Sequence, residues 1–111
     1  MQVQFTKEET IDEITRRLVE YFHPERIYLF GSAARGDDGP DSDLDFLVVV
    51  PDDIPVDKLH PGAARKAVSG VAYAKDIVPW LKADFELRAE HVVASLPATV
   101  VREGKLLYDA R

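Results

Sequence analysis

Apolar and polar positions along the chain change period several times, and each change marks an element. Thr6, with Glu9 three residues on, predicts a reciprocal cap at a helix start. Ile11, Ile14, Leu18, Tyr21 and Phe22 then recur at helical spacing as one apolar face. Glu8, Glu9, Asp12, Glu13, Arg16, Arg17 and Glu20 fill the other side as a solvated face. His23-Pro24 ends the helix, because a residue before proline is pushed towards extended conformation. Ile27 to Phe30 is a short β-branched and aromatic run that stops at Gly31, which predicts a buried strand. Leu44 to Val50 is nearly all apolar and closed by Pro51, which predicts a second. Between them, Gly31, Gly36, Gly39 and Pro40 predict a turn-rich loop in which Ala33, Ala34 and Arg35 form one helical turn.

Asp52 and Asp53 are expected to cap the segment that follows Pro51. Leu59, Ala63, Ala64, Ala67, Val68 and Val71 give Lys58 to Val71 helical character. Pro61-Gly62 breaks its start, so the helix is expected from about Pro61. Its Arg65 and Lys66 meet a partner or are simply solvated. In Ala72 to Trp80, Ala74, Asp76 and Val78 alternate against Tyr73, Lys75, Ile77 and Pro79, a strand pattern. Asp84 to Ser95 reads as helix, with Phe85, Leu87, Val92 and Val93 as its apolar residues. Pro97 opens a short helical turn over Ala98 to Glu103, stopped by Gly104, and Leu106 to Tyr108 forms a last extended segment. Trp80 is assigned to the core.

A chain of 111 residues is read as one domain, residues 1–111, without repeats or linkers. Without cysteine it offers no disulfide, zinc–thiolate site or thiol nucleophile. No apolar run approaches transmembrane length, and the N-terminal region carries acids where a signal peptide carries a basic and an apolar region, so a cytoplasmic protein is expected. A net charge of −6 argues against an extended nucleic-acid surface, which needs basic residues to neutralise phosphates. The acids gather instead at Asp37, Asp38, Asp41, Asp43 and Asp45. That cluster repels a polynucleotide unless metal is bound, whereas a nucleotide arriving as its Mg²⁺ complex is already partly neutralised.

Side chains on a strand alternate faces, so Asp43 and Asp45 point to one side and Leu44 to the other. Two carboxylates so close raise each other's pKa unless a cation sits between them. Mg²⁺ is the expected cation, since it takes oxygen ligands and is commonly shared between carboxylates and substrate phosphates. Upstream, Gly31 lets a phosphate approach the backbone, Ser32 offers a hydroxyl and an N–H, and Arg35 offers a guanidinium fork. Arg35 alternatively pairs with Asp37 or Asp41 to shape the loop. His23, His60 and His91 have no partner at metal-ligand spacing and are left out of the site.

Gly31-Ser32, ten intervening residues and Asp43-Leu44-Asp45 resemble the signature of the polymerase-beta-like nucleotidyltransferase superfamily. Arg35-Gly36 after Gly-Ser-Ala-Ala, Asp41-Ser42 before the acidic pair, and the ending from Arg102-Glu103-Gly104 to Leu107-Tyr108 are similar to its minimal nucleotidyltransferase branch. The resemblance implies an α+β fold, a small mixed sheet backed by helices, with the Gly-Ser loop between the first two strands. It implies a third site carboxylate on the strand after the central helix, and Asp76 is the only acid between Asp57 and Asp84. Taken alone, Asp76 is as readily a surface residue. Asp43, Asp45 and Asp76 are thus the expected catalytic and metal-binding residues, with one or two Mg²⁺ ions. Gly31, Ser32, Arg35 and Ser42 are the expected nucleotide-binding residues, with ATP as donor.

The branch commonly pairs with a small helical toxin of the HEPN type, and some of its members attach AMP to a tyrosine of that toxin. The implied function is therefore that of an antitoxin transferring AMP to a hydroxyl acceptor. Arg17 and His23 match the loose Arg-x₄₋₆-His spacing of such toxins, a match read as chance in a chain with several strands. The competing readings are a non-catalytic module that neutralises its partner by contact, and nucleotidyl transfer to RNA or to a small molecule. The last generally needs an additional acceptor-binding domain. A pure binding surface gives no reason for Asp43 and Asp45 to share one face at the head of an apolar strand.

Overall fold

A computed structural model describes residues 6–36, 39 and 43–111. Helix α1 spans Lys7–Phe22 and begins with the reciprocal cap: Thr6 Oγ1 accepts from Glu9 N–H, and Glu9 Oε1 accepts from Thr6 N–H. Thr10, Ile14, Leu18 and Phe22 are buried, with Ile11 and Tyr21 partly so. On the outer side Glu13 binds both Arg16 and Arg17, and these hydrogen bonds hold its carboxyl down to about 2. The helix ends at His23 in left-handed conformation (φ 48°), and Arg17 reaches across to the Ser69 carbonyl. Both members of the Arg17/His23 pair therefore have structural work.

Four strands follow: β1 (Arg26–Phe30), β2 (Leu44–Val50), β3 (Lys75–Leu81) and β4 (Lys105–Asp109). They form one sheet in the order β3-β2-β1-β4, with β2 and β3 parallel and the other two pairs antiparallel. This is the small mixed sheet of an α+β fold. Helices α2 (Ser32–Arg35), α3 (Pro61–Ala67), α4 (Lys82–His91) and α5 (Leu96–Glu103) and a 3₁₀ turn (Val56–Leu59) complete the described elements.

Alternation along β2 divides the core in two. Leu44, Phe46, Val48 and Val50 pack with Ile14, Leu18 and Phe22 of α1 and with Ala64 and Val68 beneath α3. Leu47 and Val49 face the other way and pack with Tyr28, Phe85 of α4 and Val100 of α5. Arg26 fastens α4 down, stacking over the Phe85 ring and bonding Tyr28 Oη and Glu86. A fully apolar β2 is the expected pattern for a strand covered on both faces.

Several boundaries differ from the sequence reading. β3 begins at Lys75 and runs to Leu81, not from Ala72 to Trp80, because 71–74 is turn and loop. α3 ends at Ala67, short of Val71, where Gly70 turns back with φ 90°. α4 starts earlier and stops at His91, because Ser95 Oγ donates towards the Arg88 and Val92 carbonyls and caps α5 instead. Of the apolar residues assigned to α4, only Phe85 is buried; Leu87, Val92 and Val93 are exposed. Asp52 caps neither the 3₁₀ turn nor α3: its Oδ1 accepts from Ala83 N–H at the start of α4. His60 caps α3 through Nδ1, and Trp80 is half-buried beside the second cluster, with Arg88 over its ring. No helix among the described residues is long and apolar enough to cross a membrane.

Candidate active site

Among the described residues, Gly31, Ser32, Asp43, Asp45 and Asp76 lie towards one end of the sheet. β1 stops at Phe30, and Gly31 turns the chain with φ 76° into the single turn of α2. Ala33 and Ala34 pack on the first core cluster, which anchors that turn. Gly36, also left-handed, closes it by donating to the Ser32 carbonyl. Gly31 is required twice over. L-residues avoid its φ, and a Cβ there would collide with Asp45 Oδ2. The Gly-Ser turn is thus pressed directly onto the second carboxylate of the acidic pair.

Asp45 stands in β2 between Phe30 on one side and Asp76 on the other. The β2–β3 pairing is parallel and in register, so Asp45 and Asp76 lie side by side on the same face, one strand spacing apart (about 4.8 Å). Asp43 precedes Asp45 by two residues, is exposed, and flanks Leu44, which is fully buried in the opposite direction. Asp76 is also exposed. Burial raises the Asp45 carboxyl above the ordinary carboxylate range, and the charges of Asp76 and then Asp43 push it up further. Asp43 and Asp76 are therefore both within electrostatic reach of Asp45.

Such a cluster of hard oxygen donors suits a divalent cation, whose charge would reverse the repulsion that now raises Asp45. Among the described residues, no three acidic or histidine side chains stand ready as a closed cage. Mg²⁺ needs none, because it commonly takes one or two carboxylates and completes its octahedron with water and substrate phosphate oxygens. Arg35 is exposed and is the last residue of α2, the single turn that Ser32 opens. Ser42 lies outside the described residues, as do Asp37, Asp38 and Asp41, including the alternative partners of Arg35.

Lys75, placed by the sequence only in the alternation of β3, has a positioning role. Its Nζ donates to the Val71 and Tyr73 carbonyls and ties down the turn that delivers Asp76 to the sheet. Leu44 N–H donates to the Ala74 carbonyl and fixes the register at the same point. Only the unusual position of a lysine in an apolar alternation could have signalled this.

The family model for the nucleotidyltransferase domain matches residues 10–103, which include every candidate site residue. The chain belongs to that family. Its general chemistry is nucleotidyl transfer, typically with a nucleoside triphosphate and a divalent metal, and the mixed four-stranded sheet is the fold of its structural neighbours. One similar structure is a Sulfolobus solfataricus protein assigned as a nucleotidyltransferase, at 21% identity and TM-score 0.55, covering 91% of this chain and 78% of that one. Another is a toxin–antitoxin complex with AMP-PNP, at 25% identity and TM-score 0.57, covering 96% of this chain and 76% of that one. No curated protein matches the sequence.

Proposed function

We propose that this nucleotidyltransferase domain moves AMP from ATP to a hydroxyl acceptor, a tyrosine of a HEPN-type toxin, and so acts as an antitoxin. The single observation that carries the chemistry is the register of Asp45 with Asp76 beneath a glycine turn that touches Asp45. The neighbouring toxin–antitoxin complex with AMP-PNP supports both an adenine nucleotide and a protein partner.

In this reading Asp43, Asp45 and Asp76 hold one or two Mg²⁺ ions, and bound Mg²⁺ supplies charge neutralisation at the triphosphate as pyrophosphate leaves. Gly31 and Ser32 receive the β- and γ-phosphates through backbone N–H groups and the serine hydroxyl, and Arg35 and Ser42 add contacts to phosphate oxygens. Asp76, at the outer strand, orients the acceptor hydroxyl and takes its proton. The chain's own contribution is chiefly positioning, as in phosphoryl and nucleotidyl transfer generally.

The test is label transfer from ATP carrying label in either its α- or its γ-phosphate, with Mg²⁺ and a lysate of the source organism, for wild type and Asp43→Ala/Asp45→Ala. An α-label on a protein band, absent with the double variant, is the expected result. Label on RNA would overturn the acceptor. If neither label transfers and Mg²⁺-ATP does not bind, the contact-only module replaces this reading.

A further inference from the structure

The face that carries Asp45 and Asp76 continues along the outer strand. The parallel register sets Asp76, Val78 and Trp80 opposite Asp45, Leu47 and Val49, so all three project on the Asp45 side of the sheet. Trp80 packs on the cluster of Leu47 and Val49, which fixes that face independently. Asp76 is exposed and Val78 and Trp80 are half-buried, so α4 leaves this strip of β3 partly open. Arg88 of α4 lies over the Trp80 ring, 5.9 Å from its centroid.

Two arginines stack on aromatic rings around α4, and they are held differently. Arg26 lies over Phe85 with its guanidinium bonded to Tyr28 Oη and Glu86. Glu86 thus faces the β1 flank of α4, whereas Arg88 reaches Trp80 on the β3 flank. Arg88 is exposed, and among the described residues its guanidinium makes no hydrogen bond or ion pair. Arg26 fastens the fold. Arg88 holds a planar fork beside the indole with its donors unused.

Nucleotidyl transfer is an in-line displacement, so the attacking and leaving oxygens lie on opposite sides of the α-phosphorus. Gly31 is pressed against Asp45 on this face and follows Phe30 of β1. With the β- and γ-phosphates at Gly31 and Ser32, pyrophosphate departs towards β1. The attacking oxygen then arrives from the β3 side, where Asp76 stands and the strip begins. We propose that the strip from Asp76 to Trp80, completed by Arg88, docks an extended segment of the partner protein. The acceptor tyrosine lies at Asp76 and an acidic side chain of the same segment at Arg88. The proposal rests on the function proposed above, and makes Trp80 and Arg88 specificity residues.

Span and charge select that occupant. Trp80 follows Asp76 by four residues in β3, about 13 Å along a strand. A single sugar or amino acid at Asp76 does not reach so far, whereas an extended peptide covers it in about four residues. Trp80 and Arg88 would also stack on nucleic-acid bases. A polynucleotide needs several cations along its path, however, and α4 surrounds Arg88 with Asp84, Glu86 and Glu90. One guanidinium fork suits one carboxylate. Pro79 has no N–H and interrupts the open edge of β3, so recognition falls on side chains. In the transfer step the phenolic oxygen bonds to the α-phosphorus and the bond from that phosphorus to the bridging oxygen breaks. Pyrophosphate leaves with the electron pair, and the phenolic proton passes to Asp76.

The chain's single tryptophan reports on the strip directly. The probes are acetyl-Tyr-Ala-Ala-Ala-Glu-amide and the reverse sequence, for the two directions a segment can run. Each is titrated by tryptophan fluorescence into protein carrying Mg²⁺ and α,β-methylene-ATP, in which the bond to be broken is blocked. A saturable change with one of them is expected in wild type. Arg88→Glu should weaken that binding about tenfold, and a lysine in place of the peptide's glutamate should restore it. Arg88 is exposed, so the reversal leaves the core intact, which a melting curve checks. In α-label transfer to the protein acceptor, the same variant should raise KM about tenfold with kcat and nucleotide affinity unchanged. No saturable change, equal binding by Arg88→Glu, no recovery with the lysine peptide, or lost nucleotide affinity would each overturn the docking strip. A uridine trinucleotide that binds there in place of the peptides would overturn it in favour of RNA. Because the fluorescence titration needs no transfer, failure of the strip is separable from failure of the transfer chemistry.

Discussion

The two ends of one sheet face behave as different materials. Asp45, Leu47 and Val49 project from β2 in the same direction. Leu47 and Val49 are sealed under α4 and α5 with Phe85 and Val100, whereas Asp45 is half-buried and Asp43, before it, is exposed. The alternation that makes hydrophobic core at one end makes a carboxylate cluster at the other. Strand parity decides which face a side chain joins; cover by the next layer decides whether that face is core or site. Half-burial is what gives the cluster its character: it raises Asp45 by desolvation yet leaves room for an ion and a phosphate chain.

The sharpest way to break this contrast is Asp45→Asn. Removing the carboxylate proposed to hold Mg²⁺ should forfeit several kcal/mol of transition-state stabilisation, about 1000-fold or more in transfer rate at about 1.4 kcal/mol per tenfold. Thermal stability should not fall, which a paired activity assay and melting curve would show. At the other end, Phe85→Ala should cost about 3–5 kcal/mol of stability, read from urea unfolding. A loss below about 1 kcal/mol would mean that α4 does not seal the face.

Gly31→Ala tests the hinge between the ends. Forcing an L-residue into φ 76° costs roughly 1–2 kcal/mol, and the collision with Asp45 Oδ2 should also lower AMP-PNP affinity. Retained affinity would show that the turn can shift off the carboxylate. The smallest effect is in pH. Asp45 has a folded pKa above its unfolded value, so its contribution to stability is fully present below the ordinary carboxylate value and lost as pH rises through the raised one. Glu13, Glu9 and Asp109 are shifted downward and act in the opposite sense, so the readout is the difference between wild type and Asp45→Asn without metal. That difference should favour the variant increasingly with pH, and Mg²⁺ should abolish it by stabilising the charged cluster of the wild type.

How much of this was legible follows the range of each interaction. The cap of Thr6 with Glu9, the helical face of α1 and the bounds of β2 are local patterns, and the sequence predicts them as they stand. The end of α4 is not legible, because Ser95 competes for it from the next helix. Nor is the role of Asp52, whose partner is Ala83, 31 residues away. In the candidate site, Gly31, Ser32, Asp43 and Asp45 lie within fifteen residues and their spacing identifies them. Asp76 could be chosen only as the one acid in its segment, through resemblance.

By itself, then, the sequence determined the family, the glycine turn and the spacing of Asp43 and Asp45, although Asp43 stands just before β2, whose two-residue period begins at Leu44. Only the tertiary structure decided which residues stand beside them. The parallel β2–β3 register, held by Leu44 N–H on the Ala74 carbonyl, sets Asp76 against Asp45. Placing Gly31 against Asp45 needs the antiparallel return of β2 along β1. Those are pairings between distant segments, fixed by hydrogen-bond ladders and by the burial of whole strands, and no local period encodes them.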